Sequence, residues 1–172
     1  ASLTDIGLSV FSKCTGLKEV YFEKGTKTVG HNQFTGCTGL EKVVLPDGLE
    51  SIGVDAFTGC TSLKSLHIPA SVTEIAMGMY FARACTSLQE ITVASGNRNF
   101  VSRDGALYTK DMKRLIQYPS GRAGGIVIPK GVEKLGMGSI GCPAMTSILL
   151  PSSLKLVGSG AFTGCDALTD VY

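Results

Sequence analysis

The sequence has little charge, few histidines and no long apolar run, and each shortage argues against a class of function. Charged residues make up 17% of the 172 residues, and the net charge of +2 is scattered over both signs. Nucleic acids and membrane surfaces require a basic stripe or a polybasic run, which is missing here. No apolar run approaches the roughly 20 residues of a membrane-spanning helix. We therefore expect no nucleic-acid partner and no membrane insertion of this segment.

Residues for catalysis or metal binding are also scarce. The two histidines, His31 and His67, are expected on a turn and on a strand about one coil apart, and neither Gly-x-Ser-x-Gly nor His-Glu-x-x-His occurs. No cysteine has a second one within four residues, as the usual zinc motifs require. The Gly-x-Gly-x-x-Gly at 136–141 lies at the repeat position of Gly53 and is followed at once by Cys142, where a dinucleotide site needs a helix. The sequence thus predicts no catalytic residues, no cofactor and no metal, and hence no enzyme.

What the sequence does have is one repeated frame, Phe-x-x-Cys-x-x-Leu-x-x-Val-x-Ile-Pro. The cysteines that register it are 23, 23, 25, 57 and 23 residues apart. A period of about 20–30 residues, too short for one unit to bury its own apolar face, is typical of a solenoid. The six cysteines are Cys14, Cys37, Cys60, Cys85, Cys142 and Cys165.

Each repeat predicts one short strand and one turn. The segment Leu-x-x-Val-x-Ile-Pro alternates apolar with other residues, which is strand periodicity, and proline closes it because it lacks the N–H of a ladder. Residues 52–60, IGVDAFTGC, suit a tight turn followed by a short helical turn on the opposite side. The fold class is therefore α/β, mainly β, with one parallel strand per coil of about 23 residues and a short helical or irregular convex side. The phenylalanines expected to point inward are Phe11, Phe34, Phe57, Phe81 and Phe162.

The frame breaks once, at residues 95–125, between four repeats at 1–94 and the final repeats at 126–172. Turn residues at 103–105 and 110–111 separate the short runs FVS, ALY and RLIQY, which predicts a β-hairpin or three-stranded excursion that rejoins the coil at 126–129. Its excess of positive charge fits a solvated hairpin, with a binding loop as the alternative. The chain opens within a repeat and stops inside a predicted strand, so we expect one solenoid domain, 1–172, cut from a longer array.

Two segments resemble a known family. Residues 52–75, IGVDAFTGCTSLKSLHIPASVTEI, and 104–121, DGALYTKDMKRLIQYPSG, are similar to BspA-like leucine-rich repeats of surface and secreted proteins from host-associated bacteria and some mucosal protozoa. The resemblance implies a leucine-rich-repeat solenoid or horseshoe whose strands line one face. It also implies an extracellular or cell-surface location and binding to host matrix proteins or other cells.

The cysteines all share one repeat position, which should face the core. There a thiol acts as a small hydrophobe, and we predict a reduced, buried column. Neighbouring coils would place the Cα atoms within the range that disulfides permit, so bridges stay an alternative.

Because no catalytic, cofactor or metal site is predicted, the solvent-exposed surface is the remaining candidate for function. Two outward stripes should run along the strands, and the second is apolar and aromatic, which is typical of interaction sites. The alternative is that such residues are simply favoured in strands. We interpret the chain as a non-enzymatic, adhesin-like module that binds a host matrix or cell-surface protein; a structural spacer and a carbohydrate-binding accessory are the alternatives. The partner-binding residues this predicts are Glu19, Lys42, Ser65, Glu90 and Ser147 in the first stripe, and Tyr21, Val44, His67, Thr92, Val127, Leu149 and Tyr172 in the second.

Overall fold

The computed structural model describes residues 7–75 and 80–172 and shows a solenoid built from short strands. This part of the chain contains fifteen strands, of two to six residues, and no helix. Residues 1–6, where the sequence is expected to open within a repeat, lie outside the described residues, as do residues 76–79. The prediction of a mainly β solenoid of parallel strands is confirmed.

One strand of each coil forms the face that the repeat frame predicts. Side chains alternate along these strands, so that in Ser65–Ile68 the side chain of Leu66 is buried and that of His67 is exposed. The strands pair in parallel and in register with the repeat within three sheets of two, two and three strands, which are interrupted between Lys42–Val44 and Ser65–Ile68 and between Glu90–Val93 and Ala123–Val127. The strands of this first ladder are Glu19–Tyr21, Lys42–Val44, Ser65–Ile68, Glu90–Val93, Ala123–Val127, Ala144–Leu149 and Asp170–Val171.

A second ladder of two-residue strands runs along another side of the coil, which the sequence does not predict. Glycine follows four of these five strands, because the backbones of adjacent coils approach closely: a Cβ on Gly53 would lie 2.8 Å from the His31 nitrogen. The amide of Gly53 donates to the Val29 carbonyl of the preceding coil at 2.9 Å. Its strands are Thr28–Val29, Ser51–Ile52, Glu74–Ile75, Lys134–Leu135 and Leu156–Val157.

The third side of each coil is made of turns instead of the expected helical turn. Here the Phe34 amide donates to the Ala56 carbonyl of the next coil at 2.9 Å, and the Gly36 amide to Thr58 at 2.8 Å. An amide that is bonded to the next coil cannot also bond four residues back, so an α-helix does not form. Inside these turns Phe34 stacks on Phe57, with ring centroids 5.8 Å apart.

The break in the frame holds three strands, at the three runs that the sequence marks: Phe100–Arg103, Ala106–Thr109 and Arg114–Gln117. The first two form an antiparallel hairpin. Its tip, Asp104-Gly105, has positive φ at both residues, as a tight hairpin requires. The third strand pairs in parallel with Lys134–Leu135 and so belongs to the second ladder. The chain thus rejoins the solenoid at this strand, before the segment 126–129 where the sequence places the return.

Candidate interaction surface

Most of the predicted partner-binding residues lie side by side on the first ladder. Thr92 and Ser147 are half-buried, and the other ten are exposed. The repeat register makes direct neighbours of six cross-strand pairs. These pairs are Glu19 and Lys42, Tyr21 and Val44, Ser65 and Glu90, His67 and Thr92, Val127 and Leu149, and Ser147 and Asp170.

At one end of this face lies an exposed tyrosine. Tyr21 is 58% exposed, and its hydroxyl donates to the Glu19 carboxylate at 2.7 Å. The Lys42 ammonium lies 5.2 Å from the centre of the Tyr21 ring, within cation–π range. Glu19 and Lys42 thus contact the hydroxyl and the ring of Tyr21, whose cross-strand neighbour is Val44.

In the middle of the face the side chains are polar. His67 Nδ1 and Thr92 Oγ1 are 2.9 Å apart across two paired strands, so one of them donates a hydrogen bond to the other. His67 is exposed on its strand, and His31 accepts a hydrogen bond at Nδ1 from the Val54 amide at 2.9 Å. Each histidine is thus engaged with its own neighbouring coil, and the structure does not bring the two together.

The hairpin tip divides the face into two blocks, which the sequence does not show. The Ile91 amide donates to the Gly105 carbonyl at 2.7 Å, so the tip lies at the edge of strand Glu90–Val93. Arg122 fixes it there, because its guanidinium donates to the Asp104 carbonyl at 2.6 Å and to the Gln89 carbonyl at 2.7 Å. The sequence identifies Arg122 only as one positive charge among several. Its role depends on packing between residues that are distant in the chain.

Beyond the tip lies the more apolar block. Val127 is 68% exposed, Leu149 47% and Tyr172 70%. Val127 pairs directly with Leu149, and the Leu150 amide donates to the Tyr172 carbonyl at 2.7 Å, which places the tyrosine on the next coil. Apolar side chains on three successive coils form a contiguous patch, and Asp170 is exposed beside it. Patches of this kind are typical of protein interaction sites.

Most of the cysteine side chains are buried and behave as core residues. All six thiols are free; Cys14 is exposed, Cys165 is half-buried, and the other four are buried. Cys60 Sγ donates to the Phe34 carbonyl at 3.2 Å, and Cys85 Sγ to the Phe57 carbonyl at 3.1 Å. Burial raises the pKa of Cys85 to about 12, so the thiolate that a nucleophile or metal ligand needs is suppressed. Among the described residues no group of three or more His, Cys, Asp or Glu side chains could hold a metal ion.

The glycine-rich motif at 136–141 is part of the coil. The Gly136 amide donates to the Leu115 carbonyl at 2.9 Å, as the Gly53 amide does to Val29. A turn follows Gly136 where a dinucleotide site needs a helix. No helix in the described part of the chain is long and apolar enough to span a membrane.

These features define a class of protein, a parallel β-solenoid in which successive coils add strands to a common face. A family model described as BspA type leucine-rich repeat region matches six copies over residues 1–106 and 122–172. The chain therefore belongs to the BspA-type leucine-rich repeat family, whose repeats typically form binding or structural modules. A comparison with curated protein sequences found no match.

Several solved structures are similar to this chain. The pneumococcal vaccine antigen PcpA is 28% identical with a TM-score of 0.83, over 90% of this chain and 39% of that one. A leucine-rich cell surface protein from Faecalibacterium prausnitzii A2-165 is 34% identical with a TM-score of 0.84, over 95% and 43%. A leucine-rich repeat protein of T. pallidum is 25% identical with a TM-score of 0.54, over 98% and 62%. The chain spans about two fifths of the length of the first two.

Proposed function

We propose that this chain is a non-enzymatic protein-binding module, displayed on or outside a bacterial cell, whose partner is a host matrix protein or cell-surface protein. The location is supported by the names of two similar structures, a cell surface protein and a vaccine antigen. The binding activity is supported by one observation above all. Exposed apolar side chains continue across three successive coils of the first ladder at Val127, Leu149 and Tyr172.

The shape of this face favours a macromolecular partner. Small ligands bind in concave pockets that bury most of their surface, whereas the strand face offers a broad row of side chains on parallel strands. A sugar platform would need two aromatic rings close together. Tyr21 lies on the first strand of the ladder and Tyr172 directly follows the last one, with the hairpin tip between them. A protein surface therefore fits this face better than a carbohydrate.

The test is binding of the purified chain to a panel of extracellular matrix and host-surface proteins, measured by biolayer interferometry. The double variant Tyr21→Ala with Leu149→Ala removes one apolar anchor from each block. Each central anchor of an interface contributes more than about 1 kcal/mol, so we expect an affinity loss of at least tenfold. Leu156→Ala is the matched control, because Leu156 is 51% exposed but lies on the second ladder.

The outcomes separate the alternatives. Saturable binding that the folded double variant loses and Leu156→Ala keeps would support the proposal. Equal binding by the double variant and the native chain would refute the strand face as the site. If nothing in the panel binds, the structural spacer becomes the better interpretation. If the double variant loses binding, single variants at Tyr21 and Leu149 show which of the two blocks makes the contact.

A further inference from the structure

One coil of the solenoid lacks most of its turn segment. In a regular coil, residues 53–64 connect the second-ladder strand Ser51–Ile52 with the next first-ladder strand. In the coil that contains Arg114–Gln117, residues 118–122 alone make this connection. The short connection follows the hydrogen-bond register of its neighbours, since the Tyr118 amide donates to the Ser139 carbonyl of the next coil at 2.6 Å. One layer of the turn side is therefore missing.

The missing layer leaves a backbone donor without its usual acceptor. In successive coils the Gly36 amide donates to the Thr58 carbonyl and the Gly59 amide to the Arg83 carbonyl, both at 2.8 Å. Ala84 occupies the next position in this row and has the same left-handed backbone, with φ of 58° against 72° and 75°. Within residues 7–75 and 80–172, no acceptor receives the Ala84 amide. The row of inter-coil hydrogen bonds stops there.

A cleft of about 150 Å³ opens at this point, between the turn at 83–86 and the turns at 141–143 and 163–166. Arg83 lies on one wall, and its guanidinium stacks 4.4 Å above the Tyr80 ring. The ring itself lies against Gly138, at a place where any Cβ would overlap it. The Tyr80 ring, which packs against Gly138, thus positions the Arg83 guanidinium at the cleft. The Nε atom of Arg83 is buried without a hydrogen-bond partner among the described residues.

The two walls differ in what they can bind. The wall at Arg83 and Ala84 offers a cation and a free amide, which together suit a carboxylate. Asp166 lies on the far wall and would repel a second one. Between the walls one layer of chain is absent, and a single extended chain occupies about 4.8 Å in the stacking direction of such a ladder. The cleft therefore lies in the layer that one extended chain would occupy, and the Arg83 side chain reaches across part of it, since a Cβ on Gly141 would lie 4.0 Å from the Arg83 Cγ.

We propose that this cleft is a second binding site, for an extended peptide that bears a carboxylate and takes the place of the missing turn. The carboxylate binds the Arg83 guanidinium and the Ala84 amide, and the peptide backbone lies between the turns. The site is on the turn side of the coil and shares no residue with the strand face. It is therefore independent of the proposed function.

The test is a titration of the ¹⁵N-labelled chain, followed by amide resonances, with N-acetyl-Ala-Ala-Ala that has a free C-terminal carboxylate. We expect saturable shifts of the Ala84 amide and its neighbours. The same peptide with a C-terminal amide should bind about tenfold more weakly, because a charge-assisted contact is lost. Acetate alone should bind more weakly than the tripeptide, because it leaves the missing layer empty.

Three variants make the test specific. Arg83→Gln should weaken peptide binding about tenfold, and Thr86→Trp should block it by filling the cleft. Arg98→Gln removes an exposed charge of the insertion and should change nothing. Amide spectra of each variant show whether it is folded. An Ala84 amide that does not respond, equal affinity for the free and amidated peptides, acetate binding as tight as that of the peptide, or unchanged binding by folded Arg83→Gln would each overturn the proposal.

Discussion

Asn97 is a buried polar residue on which the start of the insertion depends, and its replacement by alanine tests this packing sharply. The side chain is 1% exposed. Its Nδ2 donates to the Pro69 and Val72 carbonyls of the preceding coil at 2.9 and 3.0 Å. Its Oδ1 accepts the amides of Asn99 and Phe100 at 2.9 and 2.8 Å. One side chain thus satisfies two carbonyls of the preceding coil and two amides of the insertion.

The expected loss follows from these four hydrogen bonds. At about 1 kcal/mol each, Asn97→Ala should lower the free energy of unfolding by about 4 kcal/mol, a large part of the roughly 5–15 kcal/mol typical of a domain. Asn99→Ala is the matched control, because Asn99 is exposed and its side chain donates only to the Thr73 carbonyl, at 3.0 Å. It should cost about 1 kcal/mol. Urea unfolding followed by circular dichroism measures both, and a difference below about 1.5 kcal/mol would refute this reasoning.

Asn97→Asp separates the contribution of the two hydrogen bonds that the Asn97 Nδ2 donates from that of the two that its Oδ1 accepts. It keeps an oxygen for the two amides but turns a carboxylate oxygen toward the Pro69 and Val72 carbonyls. Burial beside these carbonyls should raise the pKa of the introduced carboxyl above its unfolded value of about 3.9, so the folded state then binds more protons than the unfolded one. The loss of stability should therefore be largest at pH 7 and shrink as the pH falls toward about 4. A deficit that is the same at both pH values would show that the carboxylate does not face the carbonyls.

Three further predictions concern the regular coils. A Cβ on Gly53 would lie 2.8 Å from the backbone of the preceding coil, whereas one on Gly96 would make an ordinary 3.5 Å contact. In urea unfolding, Gly53→Ala should therefore lower the free energy of unfolding by about 1–3 kcal/mol and Gly96→Ala by less than about 0.5 kcal/mol. Equal losses would contradict the close approach of the coils. Burial raises the pKa of Cys85 to about 12. At about pH 8 a thiol reagent should therefore modify exposed Cys14 at once and Cys85 only on unfolding. Equal modification rates for the two thiols would contradict this prediction. Hydrogen bonds from lysines of the two adjacent coils lower the pKa of Glu133. Its contribution to stability is therefore present above the ordinary value of about 4.3 and is lost as the pH falls through the lowered pKa of the folded state. The stability difference between the native chain and Glu133→Gln should shrink as the pH falls below about 4 instead of persisting.

Strand periodicity was sufficient to predict the first ladder. An alternation of apolar and other residues decides which side chains face inward, as at Leu66 and His67, and a fixed repeat length decides which residues become cross-strand neighbours. The second ladder could not be predicted in this way. Apart from Arg114–Gln117, its strands have two residues each, too few to show any alternation, and they form because the neighbouring coil supplies hydrogen-bond partners.

Assignment of repeat positions by residue type also has a limit, which Phe81 shows. The sequence assigns Phe81 to the position of Phe57, and its side chain is buried as predicted. However, the Phe34 amide donates to the Ala56 carbonyl, and the Phe57 amide to that of Phe81. Phe81 therefore takes the register position of Ala56, one residue earlier. Counting back from the cysteine gives the same position, because Phe81 is four residues before Cys85, as Ala56 is before Cys60, whereas Phe57 is three residues before Cys60.

The regular coils and the shortened coil offer different kinds of surface. In a regular coil the amides of the turn side are bonded to the next coil, as at Gly36 and Gly59, so recognition depends on side chains such as Tyr21 and Leu149. Where the turn is missing, the Ala84 amide has no acceptor within residues 7–75 and 80–172, and the carboxylate proposed for it can come from the C-terminus of a peptide of any sequence. We therefore expect the strand face to determine which protein is bound. The cleft, by contrast, should depend on where a partner carries an extended, acidic segment.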